Sequence, residues 1–320
     1  MKRDMVLKKT SALAGAMVIM TAAWSFMHLP GSNLTMMTFA LLSSSVLCSI
    51  PDFQRRAVCC LQMICGAAAT QFLIGITAKY PEIRILVSML FSFFILAVIA
   101  DRQAAVIILL IAYLSIFAPP GVTAAVNRCV DIALAGIAAL TVSSLCNISA
   151  DDMPEKTSSI PLPLRNAAIV TAELTAGTVI AQIIDHEQMA WIMLTILFIH
   201  LAESPQTPPA DLAGKRVIAT LPGIIFGGMY LSAFCSVNYR MIYIVPFSGA
   251  LSFFVLYLKN DYFLFTLLFM FSVTLFADWL PGNGRGFVFT EMMFVRSLAA
   301  VIGAVLLLCG ENLMQKEMLS

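Results

Sequence analysis

Charge is scarce in this sequence. Only 12% of its 320 residues are Asp, Glu, Lys or Arg, against 60% that are apolar, whereas a soluble domain is about a quarter charged and about half apolar. So little charge excludes an ordinary hydrated surface, and a mean hydropathy of +0.91 marks the lipid bilayer as the solvent. Histidine is scarcer still, with three residues, none in an H-E-x-x-H run, and neither G-x-S-x-G nor a zinc-type Cys/His spacing occurs. That removes the nucleophile–base and metal constellations an intramembrane hydrolase requires, and the chain does not read as an enzyme. A Gly-rich phosphate loop is missing too, which argues against an ATP-driven pump within this chain. The net charge is +1 and the basic residues are scattered, so no nucleic-acid partner is expected. Nothing calls for a cofactor or a metal.

Cysteine is not lacking. Cys48, Cys59, Cys60, Cys65, Cys129, Cys146, Cys235 and Cys309 all fall within or beside apolar runs and read as small packed side chains. The adjacent Cys59 and Cys60 do not make a redox C-x-x-C.

Long apolar runs dominate what is present. They lie near 11–27, 34–50, 57–78, 84–100, 103–118 and 122–146, and again near 166–184, 189–202, 217–237, 241–258, 262–279 and 286–309. Several fall short of the roughly 20 residues needed to cross untilted, so ten to twelve spans are expected, some of them short or broken. The basic N-terminal stretch "MKRDMVLKKT" has no clear small-x-small cleavage site after its apolar run, and it reads as an uncleaved first membrane helix. With the N-terminus in the cytoplasm and twelve alternating spans, the far side holds only Lys79, Arg84, Arg240 and Arg285 among loop cations. Arg55, Arg56, Arg102, Lys156, Arg165, Lys215, Arg216, Lys259 and others fall inside. That bias favours an even span count with both termini cytoplasmic.

The chain also repeats itself. Ser88–Asp101 and Ser248–Asp261 both fit S-x-x-x-S-F-F-[IV]-L-x-x-x-x-D. Arg55 precedes Gly66 as Arg216 precedes Gly227, "SIFA" at 115–118 matches "TLFA" at 274–277, Arg128 matches Arg296, and Thr38 matches Thr195, all in order. The expected architecture is all-α and integral to the membrane: a first six-helix repeat at 1–147, a polar cytoplasmic linker at 148–165, and a second six-helix repeat at 166–320. Six spans per half give both halves one orientation. Such parallel repeats, related by an axis along the membrane normal, build transporters with the substrate path at their interface.

Over nearly the whole of its membrane part the chain resembles the fusaric acid resistance family, which includes aromatic acid exporters. The resemblance rests on Trp191 and Thr195 in "WIMLT", on Arg216, Thr220 and Gly227 in "KRVIATLPGIIFGG", and on Arg296 and Gly303 in "FVRSLAAVIGA". "QRRAVCCLQMICGA" and "NRCVDIALAGIAA" repeat these more loosely in the first half. The resemblance is to a short form, since long members carry large cytoplasmic domains that these 320 residues do not contain. It implies export of aromatic carboxylic acids or similar amphiphiles, working with a periplasmic membrane-fusion adaptor and an outer-membrane channel. A homo-oligomer is left open.

Charge inside a span costs several kcal/mol on insertion scales of about 2.5–3.5, so each such group needs a partner or a purpose. Arg128 and Asp131 are three apart, on one helical face; they read as an anion-attracting arginine tuned by a carboxylate, or as a self-neutralising staple. Arg296 lacks an Asp at the matching place, with Glu291 five residues earlier, and is a candidate for a substrate carboxylate. Glu173 breaks the repeat and is a candidate proton carrier, with Asp131 and Glu291 as further candidates, or else a partner for an arginine. His200 and Glu203 read either as a titrating pair or as a wet helix end. Asp101 and Asp261 read as helix caps. The pairs Phe93/Phe94 and Phe253/Phe254 could line a path for planar solutes, though Phe in a span usually packs. The reading is a proton-coupled inner-membrane exporter of an organic anion, and the alternative is a non-transporting assembly subunit of an efflux complex.

Overall fold

The computed structural model describes residues 8, 10–16, 18–19, 33–50, 52–77, 79–99, 101–114, 121–146, 163–184, 187–202, 208–230, 233, 249, 251–252, 255, 261–279 and 289–316. All regular structure among them is helical. After helical residues 10–16 come α1 (Asn33–Leu47), α2 (Phe53–Thr77), α3 (Pro81–Val98), α4 (Arg102–Leu114) and α5 (Val122–Leu145). Then follow α6 (Leu164–Ile184), a 3-10 turn (Glu187–Ala190), α7 (Trp191–Ala202), α8 (Pro209–Tyr230), α9 (Tyr262–Trp279) and α10 (Phe289–Lys316). Most of the expected span at 241–258, with Phe253 and Phe254, lies outside the described residues, as do most of the 148–165 linker and part of the 11–27 run.

Local chemistry sets the helix starts. Asp101 Oδ1 accepts from the Gln103 and Ala104 amides at 3.0 and 3.1 Å, ahead of α4. Asp261 Oδ1 accepts from the Leu264 amide at 3.1 Å, ahead of α9. The closing Asp of each motif copy is therefore an N-cap, as the sequence suggested. Pro81 opens α3, where a missing amide costs nothing. Gly121 precedes α5 with φ 133°, a conformation open essentially to glycine alone. Helix α8 starts at Pro209 rather than near 217, because its first turns are amphipathic. They bury Leu212, Ala213 and Arg216 and leave Asp211 and Lys215 exposed, which an apolar-run reading misses.

Two short helices form the centre. Every residue of Ala104–Tyr113 in α4 and Trp191–His200 in α7 is buried, so both must be apolar all round. At 13 and 12 residues they are about 20 and 18 Å long, less than the roughly 30 Å of a hydrocarbon core. Helix α4 is surrounded by α1, α2, α3 and α7, and α7 by α4, α6, α8 and α10. Among the described residues, α2, α5, α6 and α10 contain segments long and apolar enough to cross a membrane. Their outward faces carry Leu61, Phe72, Val130, Ile137, Ile183 and Val305, a composition suited to lipid. The chain is a multi-pass helical membrane protein.

Between apolar helices in lipid, close backbone approach does much of the holding. A Cβ at Gly66 of α2 would stand 2.8 Å from Ile108 of α4, one at Gly227 of α8 would stand 2.8 Å from Thr274 of α9, and one at Gly303 of α10 would stand 2.6 Å from the Ile192 carbonyl of α7. Helix α5 leans on α1 and α2, as α10 leans on α7 and α8. The two chain halves meet where α3 touches α6, α4 touches α7 and α9 touches α1.

Candidate functional site

Helix α7 is the frame of the site. At its N-terminal end the Arg296 guanidinium, 1% exposed, lies 5.1 Å from the centroid of the Trp191 ring, a cation–π contact. Its Nη1 donates to Thr274 Oγ1 of α9 at 3.4 Å. Thr274 also touches Gly227, and Thr195 touches Gly303. Small residues on α8 and α10 let α7 and α9 come close enough for Trp191, Thr195, Thr274 and Arg296 to meet. Of the residues that carried the resemblance, Trp191, Thr195, Gly227, Arg296 and Gly303 are thus gathered in one part of the fold.

The C-terminal end of α7 carries a buried ionisable chain. His200 Nε2 lies 3.3 Å from Glu173 Oε2 of α6, with both side chains about 95% buried. His200 Nδ1 lies 3.4 Å from Arg102 Nη2 at the start of α4. The Glu173 carboxylate is seated against Gly310 of α10, where any Cβ would overlap it. Four helices therefore converge, three with a charged or titratable group and one with a glycine. The chemistry of the chain depends on protonation. An arginine only donates, so Arg102 needs a lone pair on Nδ1, which leaves the imidazole proton on Nε2, pointing at the carboxylate. Neutral His200 satisfies both contacts. Protonated His200 keeps Glu173 but turns an N–H toward Arg102, setting donor against donor and cation against cation.

On the flank of α7, Arg216 of α8 is 1% exposed and lies 4.9 Å from the Phe198 centroid. In the first half, Arg128 Nε donates to Gln71 Oε1 at 2.9 Å, and Gln71 Nε2 donates to the Ile111 carbonyl at 3.0 Å. Asp131 is buried within electrostatic range of Arg128, so the staple gains a third member the sequence reading passed over. The buried arginine at the start of α2 is Arg56, not the exposed Arg55 paired with Arg216 by spacing. Arg56 Nε and Nη2 donate to the Ile50 carbonyl at 3.0 and 2.8 Å, and Nη1 to the Ser143 carbonyl at 2.8 Å. It ties α1, α2 and α5 together.

Residues 175–310 match the family described as fusaric acid resistance protein-like. No curated protein and no solved structure matches the chain. The fusaric acid resistance protein-like segment takes in Trp191, His200, Arg216, Thr274, Arg296 and Gly303, and it begins two residues after Glu173. The partners that complete the His200 chain, Glu173 and Arg102, thus lie outside it.

The remaining expected site residues divide. Phe93, 37% exposed, lines an open groove of about 710 Å³ between α3 and α6, with Met89, Leu90, Thr171, Thr175 and Val179. Phe94 does not line an internal path. It is 58% exposed on a helix of a membrane protein, because a residue next in sequence points about 100° away. Glu291 lies in α10 with its side chain outside the described residues. Arg102 was read as a cytoplasmic loop cation, and Arg216 as a cytoplasmic cation opening its helix. Helix α8 begins well before Arg216 and buries it, and Arg102 reaches His200 across nearly a hundred residues of chain.

Proposed function

We propose that the chain is an inner-membrane secondary transporter that expels aromatic carboxylic acids or similar amphiphilic anions in exchange for protons. The observation that carries this reading is the Arg102–His200–Glu173 chain, buried where α4 of the first half meets α6 and α7 of the second. A proton delivered to His200 weakens its contact with Arg102 and loosens the junction between halves; its loss restores the contact. Intramembrane ionisable groups of this kind mark proton relays in pumps and transporters. Paired helix contacts support two parallel repeats with a path between them: α2 with α4 and α8 with α9, α4 with α7 and α9 with α1. Buried Arg128 and Arg296, on the last helix of each half, supply positive charge for an anion, and Asp131 and Glu291 are secondary proton candidates. Both termini face the cytoplasm in this reading. A periplasmic membrane-fusion adaptor and outer-membrane channel receive the exported compound.

The test is efflux of a panel of aromatic and aliphatic carboxylic acids from bacterial cells with and without the protein. Retention should fall when it is present and recover when the proton gradient is collapsed. Glu173→Gln should slow export about tenfold or more, the size of a typical coupling free energy, with the protein still in the membrane. If no acid is exported by well-inserted protein, the transporter reading fails and the assembly-subunit role takes its place.

A further inference from the structure

Arg216 is 1% exposed and its donors are poorly met. Its Nε and Nη1 have no hydrogen-bond partner, and Nη2 reaches only the Met270 sulfur at 3.8 Å. Beside it on α9 the buried Tyr262 hydroxyl stands loosely between Arg216 and Thr266, near enough to interact with both, but neither its oxygen nor that of Thr266 makes a hydrogen bond of good geometry. Burying a charge with poorly met hydrogen bonds is costly, and the guanidinium and the two hydroxyls beside it share a chemical pattern. A guanidinium offers two N–H groups in a planar fork and each hydroxyl offers an O–H donor, which is what the two oxygens of a carboxylate accept. The walls suit an apolar ring. Phe198 meets Phe269 edge-on at 4.8 Å, and Phe265 stacks on Phe269 at 5.7 Å.

We propose that Arg216, Tyr262 and Thr266 form a binding site for the carboxylate of an organic anion, whose apolar body lies against Phe198 and Met270. Tyr262, Thr266, Met270 and Thr274 follow one another at every fourth residue, a single face of α9. All four are buried, and the face ends at Arg296, which bonds Thr274. Arg216 reaches this stripe at Met270 and Arg296 reaches it one turn further on at Thr274, so an anion held at the first has a second cation next along its way. Pro222 lies within α8 and cannot donate to the carbonyl four residues back, so the turns carrying Arg216 have a built-in point of bending through which the site can open. The inference deepens the exporter reading by placing its anion subsite, and binding is measurable without transport.

The experiment uses purified full-length protein in lipid nanodiscs, with benzoate as probe and benzamide as its neutral isostere, titrated by saturation-transfer NMR. Benzoate should bind saturably and at least tenfold more tightly than benzamide. Arg216→Gln should weaken benzoate at least tenfold and Tyr262→Phe about three- to tenfold. Should Arg216→Gln fail to fold, Tyr262→Phe and Thr266→Val, which each remove one hydroxyl, decide the matter. Arg216→Met should leave the melting temperature of the ligand-free protein unchanged or higher while abolishing its rise with benzoate. Equal binding of benzamide, no saturable benzoate signal, or wild-type benzoate affinity in all the variants overturns the site. Benzoate binding without any efflux would instead sink the exporter reading and leave the site standing.

Discussion

A carboxylate in a helix that crosses lipid has to be met by something, and Glu173 is met by His200 on one side and by the bare backbone of Gly310 on the other. The glycine is there because the space is taken. Gly310→Ala would drive a methyl group into the carboxylate, displacing Glu173 from His200. Export should fall about as far as in Glu173→Gln, and combining the two changes should add little, since both act on one contact; efflux rates of the single and double variants check this. Additive losses would mean that Gly310 acts elsewhere. The same scale explains why Phe93 and Phe94, adjacent and chemically identical, have different places: one lines the groove beside α6 and the other faces outward.

At the scale of elements, glycines and caps set how the helices meet. Replacing Gly303 or Gly227 by Val places atoms where the Ile192 carbonyl, Thr195 or Thr274 already stand, and should cost about 2–3 kcal/mol through overpacking. Gly214 has nothing within 4 Å of its missing Cβ and is exposed on α8, so Gly214→Ala should be neutral or gain about 0.5–1 kcal/mol from helix propensity. Thermal melts of the variants in one detergent separate the two outcomes. The caps give a second contrast. Asp101→Ala and Asp261→Ala should each lose about 1 kcal/mol, and Asp→Asn at either place should retain most of it because the accepting oxygen remains.

At the scale of the whole molecule, the junction between halves contains a titratable group, His200. When protonated, His200 carries a second N–H and faces Arg102 as one cation faces another; when neutral, its Nδ1 can accept. The contact between α4 and α7 is therefore strongest at higher pH and weakens as the pH falls. Other charged groups in the surroundings are Asp101, capping α4, Arg216 on the far side of Phe198, and Glu311 next to Gly310. Amide protection at the first turn of α4 and the last turn of α7, measured relative to the intrinsic exchange rate at each pH, should fall as the pH is lowered. His200→Gln, which offers both a donor and an acceptor without titrating, should remove that fall. Protection factors that ignore pH in the native protein would detach the His200 chain from the movement of the halves.

The membrane as solvent, the helical class, the caps at Asp101 and Asp261, and the suspicion attached to Arg296 and Glu173 were all legible in the sequence. Each rests on local chemistry: apolar runs, a carboxylate before a helix, an isolated charge in a span. What surrounds those charges was decided only by tertiary structure. Gln71 joining Arg128, Arg56 buried in place of Arg55, His200 reaching Glu173 and Arg102 at once, and Arg216 enclosed by Phe198 and α9 all depend on helices far apart in the chain becoming neighbours. Apolar runs say that a helix is buried but not which helix lies beside it. In lipid, that choice falls to small residues such as Gly227, Gly303 and Gly310, whose value is the shape of what they leave room for.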